Sequence, residues 1–184
     1  MMNKNNLQGM VPVKLEEKKA KIHAKKLENV LLVAIRIRGA VNKSHWMKKT
    51  LELLRLHKKN HAVLLQASKS INGMLFKVKD FIAYGTINKE MLVQLLQNRG
   101  RLQGNNPLTE QFIKNILNLE GFEALADDLL SLKLKYQDIK KIVPVLRLHP
   151  ARGGFFKGIK KQYTHGGVLG FHGDDINKLV KKMI

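Results

Sequence analysis

Between Leu31 and Ile87 three short apolar runs alternate with two helical stripes, and this alternation restricts the fold more than any other feature of the chain. The first run, LLVAIRIRG from Leu31 to Gly39, places Val33, Ile35 and Ile37 on one face and Arg36 and Arg38 on the other, as in a strand with one buried and one solvated side. Asn42 or Ser44 can then cap a helix running to about Leu56, with Met47, Leu51 and Leu54 as its apolar stripe. AVLLQ (Ala62 to Gln66) reads as a second strand, ASKSING as a loop, and Met74 to Phe81 as a second helix on Met74, Val78 and Phe81. FIAYGTI supplies a third strand. The predicted unit is an α+β fold, a compact β-α-β-α-β sandwich in which two helices cover one face of an antiparallel sheet and leave the other face available.

Beyond this unit the expected organisation is a helical extension over 88–143 and a Gly-rich basic segment with a terminal helix over 144–184, with a basic arm over 1–29 ahead of the core at 30–87. The extension breaks into helical pieces from Lys89 to Asn98, Thr109 to Leu117 with Thr109 as N-cap, and Phe122 to Leu132. A helical turn over Asp138 to Val143 and a short strand in VLRLH are expected next. Gly153 to Gly173 holds seven glycines together with Phe155, Phe156, Tyr163 and Phe171, which argues against regular structure there. A last helix begins at Asp174 or Asp175 and uses Ile176, Leu179 and Val180.

Charge separates these segments. The chain has 34 Lys plus Arg against 14 Asp plus Glu, a formal +20 on 184 residues. The arm carries +4, the core unit +9, the extension +1 and the tail +6. Such an excess costs self-repulsion unless a polyanion neutralises it, so nucleic acid or an anionic membrane is the expected partner of one face and not of the neutral segment. No run approaches the roughly 18 to 20 apolar residues that span a bilayer, and the N-terminus lacks the basic, apolar and small order of a secretory signal. With no cysteine there is no disulfide or thiolate metal site, which fits a cytosolic protein whose 44% hydrophobic content suffices for a core.

The other chemistries find little purchase. G-x-x-x-x-G-K-[ST] is absent, since Gly153 and Gly158 are followed by Ile159, and GVLGFHG follows no strand of a parallel βαβ unit. His57 and His61 have i, i+4 spacing but straddle a helix end with no Cys or acidic cluster beside them. Asp127 and Asp128 fit a helix surface better than an acid-base pair. Glycines interleaved with Lys, Arg and aromatics instead suit a segment that lays its backbone on phosphates and stacks rings on bases, a plain solvated loop being the alternative.

Taken together, AIRIRGAVN, LELLRLHKKNHAVLL, INGMLFKVKDFIAYG and NRGRLQG resemble the L-thirty family of large-subunit ribosomal proteins. PVLRLHPARGGFFKGIKKQYTHGGVLGFHG and the helical segment indicate its long archaeal and eukaryotic form, called L-seven in eukaryotes, with the closest likeness archaeal. The resemblance covers about Val30 to Ile184. It implies a non-enzymatic constituent of the large subunit in the cytoplasmic ribosome that needs no cofactor. Its implied partners are large-subunit rRNA of the 23S type, with 5S rRNA nearby, and neighbouring large-subunit proteins. An extra-ribosomal RNA regulator or an RNA-modifying enzyme is the alternative.

The expected RNA contacts of the core are Arg36, Arg38, Lys43, Lys48, Arg55, His57, Lys58, Lys59, Lys69 and Asn72, with Arg101 from the extension. Those of the tail are Arg147, His149, Arg152, Gly153, Gly154, Phe155, Phe156, Lys157, Lys160, Lys161, Tyr163 and His165. The stretch from Arg147 to Gly173 is expected to order on RNA, because it has few aliphatic residues to offset the entropy of its glycines. The rival account packs its aromatics against the chain's own helices.

Overall fold

The computed structural model describes residues 29–41, 44–155 and 158–184. Their strands are β1 (Leu31–Arg36), β2 (His61–Gln66), β3 (Ile82–Thr86), β4 (Val145–Arg147) and β5 (Gly170–Phe171). Their helices are α1 (His45–Leu53), α2 (Lys69–Lys77), α3 (Lys89–Arg99), α4 (Glu110–Phe112, continuing into a π-helical turn at Ile113–Leu117), α5 (Phe122–Leu130) and α6 (Ile176–Met183). One sheet has the order β4-β2-β1-β3-β5. β1 lies antiparallel between β2 and β3, with Val33 opposite Leu64 and Ala34 opposite Tyr84. β4 adds antiparallel to β2, and β5 adds parallel to β3.

The expectation of an available sheet face is corrected by the structure. All six residues of β1 are buried. Leu32, Ala34, Val63, Leu65 and Ile82 pack under α1 and α2 against Leu51, Leu54, Leu75 and Val78. On the opposite face Leu31, Val33, Ile35, Ala62, Leu64 and Ala83 are covered by Leu92, Leu95 and Leu96 of α3, Leu125 and Leu129 of α5, and Ile176, Val180 and Met183 of α6. The physical reason lies in LLVAI itself, since an unbroken apolar run marks a strand buried on both sides. The extension and the terminal helix have apolar stripes that need a partner, and the second sheet face provides it.

Element boundaries shift where side chains compete for backbone groups. α2 begins at Lys69 within the expected loop, because Ser68 caps it by accepting from the Ile71 amide at 3.3 Å. Thr109 caps α4 as expected, accepting from Phe112 N at 3.4 Å. The expected turn over Asp138 to Val143 is replaced by a 3-10 turn at Tyr136–Asp138. The Gly-rich stretch is also more regular than expected, contributing β5 and a 3-10 turn at Tyr163–His165.

The chain direction sorts the termini of the elements. Arg36 ends β1, Arg147 ends β4, and His61 and Ile82 begin β2 and β3, all at one end of the sheet, called here the upper end. α2 leaves the lower end after β2 and reaches the upper end before β3. α3 likewise starts beside the lower end of β3, where Asn88 N donates to Asn177 Oδ1. α6 starts at the same place, Asn177 Nδ2 donating to Thr86 O, and finishes where Met183 O accepts from His149 N just beyond β4. Several helices therefore turn their carbonyl-rich, negative ends towards the upper end, which favours cations there.

Candidate nucleic-acid interface

The loop between α1 and β2 is closed by a few turn bonds of its own, such as His61 N to Lys58 O at 3.3 Å, and the Arg36 side chain ties it to β1. This side chain is only 8% exposed. Its Nη1 donates to Leu56 O at 2.7 Å and to His57 O at 2.6 Å, and its Nε donates to Arg38 O at 3.0 Å. Burial lowers its pKa from the ordinary arginine value. Arg36 therefore lies on no solvated strand face, a correction to the alternation seen in the sequence. The guanidinium binds carbonyls that a tight loop leaves unpaired, so the end of the central strand holds the segment carrying Arg55, His57, Lys58 and Lys59.

Those four side chains are exposed, and Arg55 adopts a left-handed φ of 58° that turns the chain out of α1. Lys59 folds back over Gly39, where a Cβ would stand 3.2 Å from its Cε. Arg38 is half-buried, its guanidinium 5.7 Å from the Phe81 ring centroid and its Nη1 3.4 Å from Asp80 O. Arg147 is paired in register with His61 across β2 and β4. The His61 pKa is lowered by burial first, then by Arg147, His57, Lys58 and Arg36, so this ring senses the positive field of the upper end.

The tail joins the same end. Gln162 Nε2 donates to Asp80 Oδ1 at 3.0 Å, which brings the segment holding the exposed Lys160 and Lys161 beside the start of β3. Gly167 permits this turn, because a Cβ there would come within 2.0 Å of Lys161 O. Two expected stacking residues are already engaged within the chain. The Tyr163 ring stacks on His172 at 4.1 Å between centroids, and its hydroxyl donates to Asp175 Oδ2 at 2.6 Å. Phe155 packs against the core. Burial of Val168, Leu169 and Ala151 likewise gives the segment an anchorage of its own, which the count of aliphatic residues understated.

A second basic group forms where α3 and α6 end. Arg99 donates through Nη2 to Ile184 O, and its pKa is lowered by burial and then by Arg101 and Arg152. Arg152 N donates to Lys182 O at 2.9 Å, placing its exposed side chain beside the exposed Gly153 and Gly154. Those two glycines have φ of +75° and +72°, a pair of left-handed residues that bends the chain away from α6.

The ion pairs among the described residues lie elsewhere. Lys89 meets Asp127 at 2.7 Å, Lys178 meets Asp175 at 2.7 Å and Lys133 meets Asp128 at 3.8 Å, all towards the lower end. At the upper end the carboxylate of Asp80 accepts from an amide, not from a cation. Among the described residues, one end therefore presents cations without carboxylate partners, while the ion pairs gather towards the other.

Not every candidate belongs to this end. Asn72 is buried on the inner side of α2 and so is not presented to a ligand. Lys69 stands in the first turn of α2 at the lower end, and Lys48 projects from α1. His149 and His165 are exposed, the first beside the end of α6 and the second in the Tyr163–His165 turn. Lys43, Phe156, Lys157 and the arm up to residue 28 lie outside the described residues. His61 and Arg99 were missed. The spacing of His61 with His57 suggests polar surface or RNA contact more than a metal site but does not single out His61, and Arg99 sits in a segment whose net charge hides it.

The family model for ribosomal protein L30p/L7e matches residues 32–82, the span from β1 into β3. The large ribosomal subunit protein uL30 of Staphylothermus marinus is 45% identical over 159 residues, which cover 84% of this chain and 98% of that one. Its counterpart in Hyperthermus butylicus is 46% identical over 84% of this chain and 90% of its own length. That of Archaeoglobus fulgidus is 43% identical over 83% of this chain and 99% of its own. Because these identities run from the sheet through the extension and the tail, the chain belongs to the ribosomal protein L30p/L7e family.

Proposed function

We propose that the chain is a structural, non-enzymatic constituent of the large ribosomal subunit that binds large-subunit rRNA through the upper end of its sheet. The observation that carries this reading is the separation of charge: Arg38, His57, Lys58, Lys59, Arg147, Lys160 and Lys161 share one end without carboxylate partners among the described residues, whose ion pairs stand away from it. Phosphates neutralise such a surface and release counterions on binding. Arg36 acts as the brace that holds the loop in place, and the Arg99, Arg101 and Arg152 group extends the surface along the ends of α3 and α6. Membership of the family supports the ribosome as the place where this RNA is met, with 5S rRNA near and other large-subunit proteins as neighbours. Sedimentation tests it: the chain should stay with the large subunit through a high-salt wash. Release into the supernatant at moderate salt favours an RNA regulator outside the ribosome.

A further inference from the structure

Three unusual features of the extension meet at one place. The turn after α4 is a π-helix, Ile113–Leu117, a form that is rare and concentrated at functional sites. It closes on Asn118 at φ 55°, and opposite it Leu132 holds φ 59°, a conformation that a branched side chain adopts only when its surroundings enforce it. The enforcement is visible: Gln66 Nε2 at the lower end of β2 donates to Leu132 O at 3.3 Å and Leu134 O at 3.2 Å. Between the two segments lies a groove of about 430 Å³ with a floor of Ile116, Leu117, Leu132, Leu134 and Ile139. Ile116 is 41% exposed, an aliphatic side chain left facing solvent at the mouth. Lys133, Lys135, Lys140 and Asp138 form the rim, and because Lys133 meets Asp128 at 3.8 Å, Lys135 and Lys140 are its cations without an ion pair among the described residues.

We propose that this groove docks a segment of a neighbouring large-subunit protein, one that inserts aliphatic side chains and carries carboxylates on both sides of them. The aliphatic floor asks for aliphatic partners, and the lysine rim asks for carboxylates. An RNA base fits poorly, since the lining has no aromatic ring or guanidinium on which it could stack, and the aliphatic floor offers a phosphate no donor. The chain's own arm, at +4, and a second copy, at +20, are repelled by the rim. The proposal rests on the ribosomal reading only for where the partner is met. The groove lies towards the lower end, away from the basic surface, so a protein can occupy it while RNA holds the upper end.

The test replaces Ile116 by the photo-crosslinking residue p-benzoylphenylalanine in the full chain, assembles it into large subunits, and identifies the products by mass spectrometry. A second chain adds Lys135→Glu and Lys140→Glu, both at exposed positions. The expected result is a crosslink to one protein segment rich in Asp, Glu and aliphatic residues, reduced about tenfold or more by the charge reversal. The affinity of the reversed chain for large-subunit rRNA should stay within about twofold, because these lysines are far from the phosphate surface. A crosslink to RNA, a yield unchanged by the reversal, or no crosslink in assembled particles would overturn the proposal. Failure of the ribosomal reading looks different, because the chain then does not enter the particle at all.

Discussion

Arg36→Ala and Arg38→Ala should have opposite consequences, although both replace a guanidinium in the same strand region. Arg36 makes one buried bond, to Leu56 O, and two part-buried bonds, to His57 O and Arg38 O. Hydrogen bonds to a charged group contribute about 1.5 to 3 kcal/mol when buried, and the part-buried carbonyls recover much of theirs from water, so a total of about 3 kcal/mol is at stake. For a chain of this size each kcal/mol lowers Tm by about 2 to 4 °C, which gives a loss of roughly 6 to 12 °C. Arg38 makes one long bond and a ring contact near the surface, so its removal should cost under about 1 kcal/mol. Its cost should appear instead in RNA binding, flattening the log-log salt dependence by about 0.7 to 0.9 per phosphate contact. Calorimetry of the free proteins and filter binding at several salt concentrations separate the two effects. An Arg36→Ala protein that melts within about 2 °C of the parent but loses salt dependence would refute the bracing role.

Neutralising Lys160 and Lys161 to Gln should flatten the salt slope by up to about 1.4 to 1.8, whereas Glu120, Glu123 and Asp127 changed to Lys should alter rRNA affinity less; the reverse ranking in the same titration contradicts the charge map. Since burial and cationic neighbours lower the His61 pKa below 6.5, bound phosphates should raise it. RNA binding should then take up protons and tighten as pH falls below neutral, which NMR titration of the ring checks with and without RNA. His172, lowered chiefly by burial, works in the opposite direction on stability. Its contribution is present above the unfolded pKa near 6.5 and is lost as pH falls through the depressed folded value, a loss that denaturation at pH 7 and pH 5 should detect and His172→Gln should diminish. Gly167→Ala places a methyl against Lys161 O and should detach the tail loop, measured as faster amide exchange at Val168 and Leu169.

Much of the fold was legible in the alternation of Leu31 to Ile87, where period-2 runs and helical stripes carry their own physical signal. The positions that escaped share one cause: their conformation depends on a distant partner. The unbroken LLVAI run signals that β1 is buried on both sides, but what covers its second face, α3, α5 and α6, comes from far along the chain. The short β5 exists because Ala83 and Tyr84 offer an edge to Gly170 and Phe171, and nothing local in a Gly-rich segment announces that. For the site, the excess of cations and its absence from the extension were readable as sums over segments. The roles of single residues were not. Arg36 looked solvated because strand alternation ignores the loop carbonyls above it, and Tyr163 looked free because Asp175 and His172 meet it only after the tail folds back.

Lysine acetylation footprinting of the chain, free and bound to large-subunit rRNA, tests the central claim most directly. The upper end is held to be the RNA surface, so Lys58, Lys59, Lys160 and Lys161 should react in the free protein and become protected on binding. Lys114, Lys133 and Lys178, which stand away from that end, should react equally in both states. Protection of the second set with continued reactivity of the first would contradict the account.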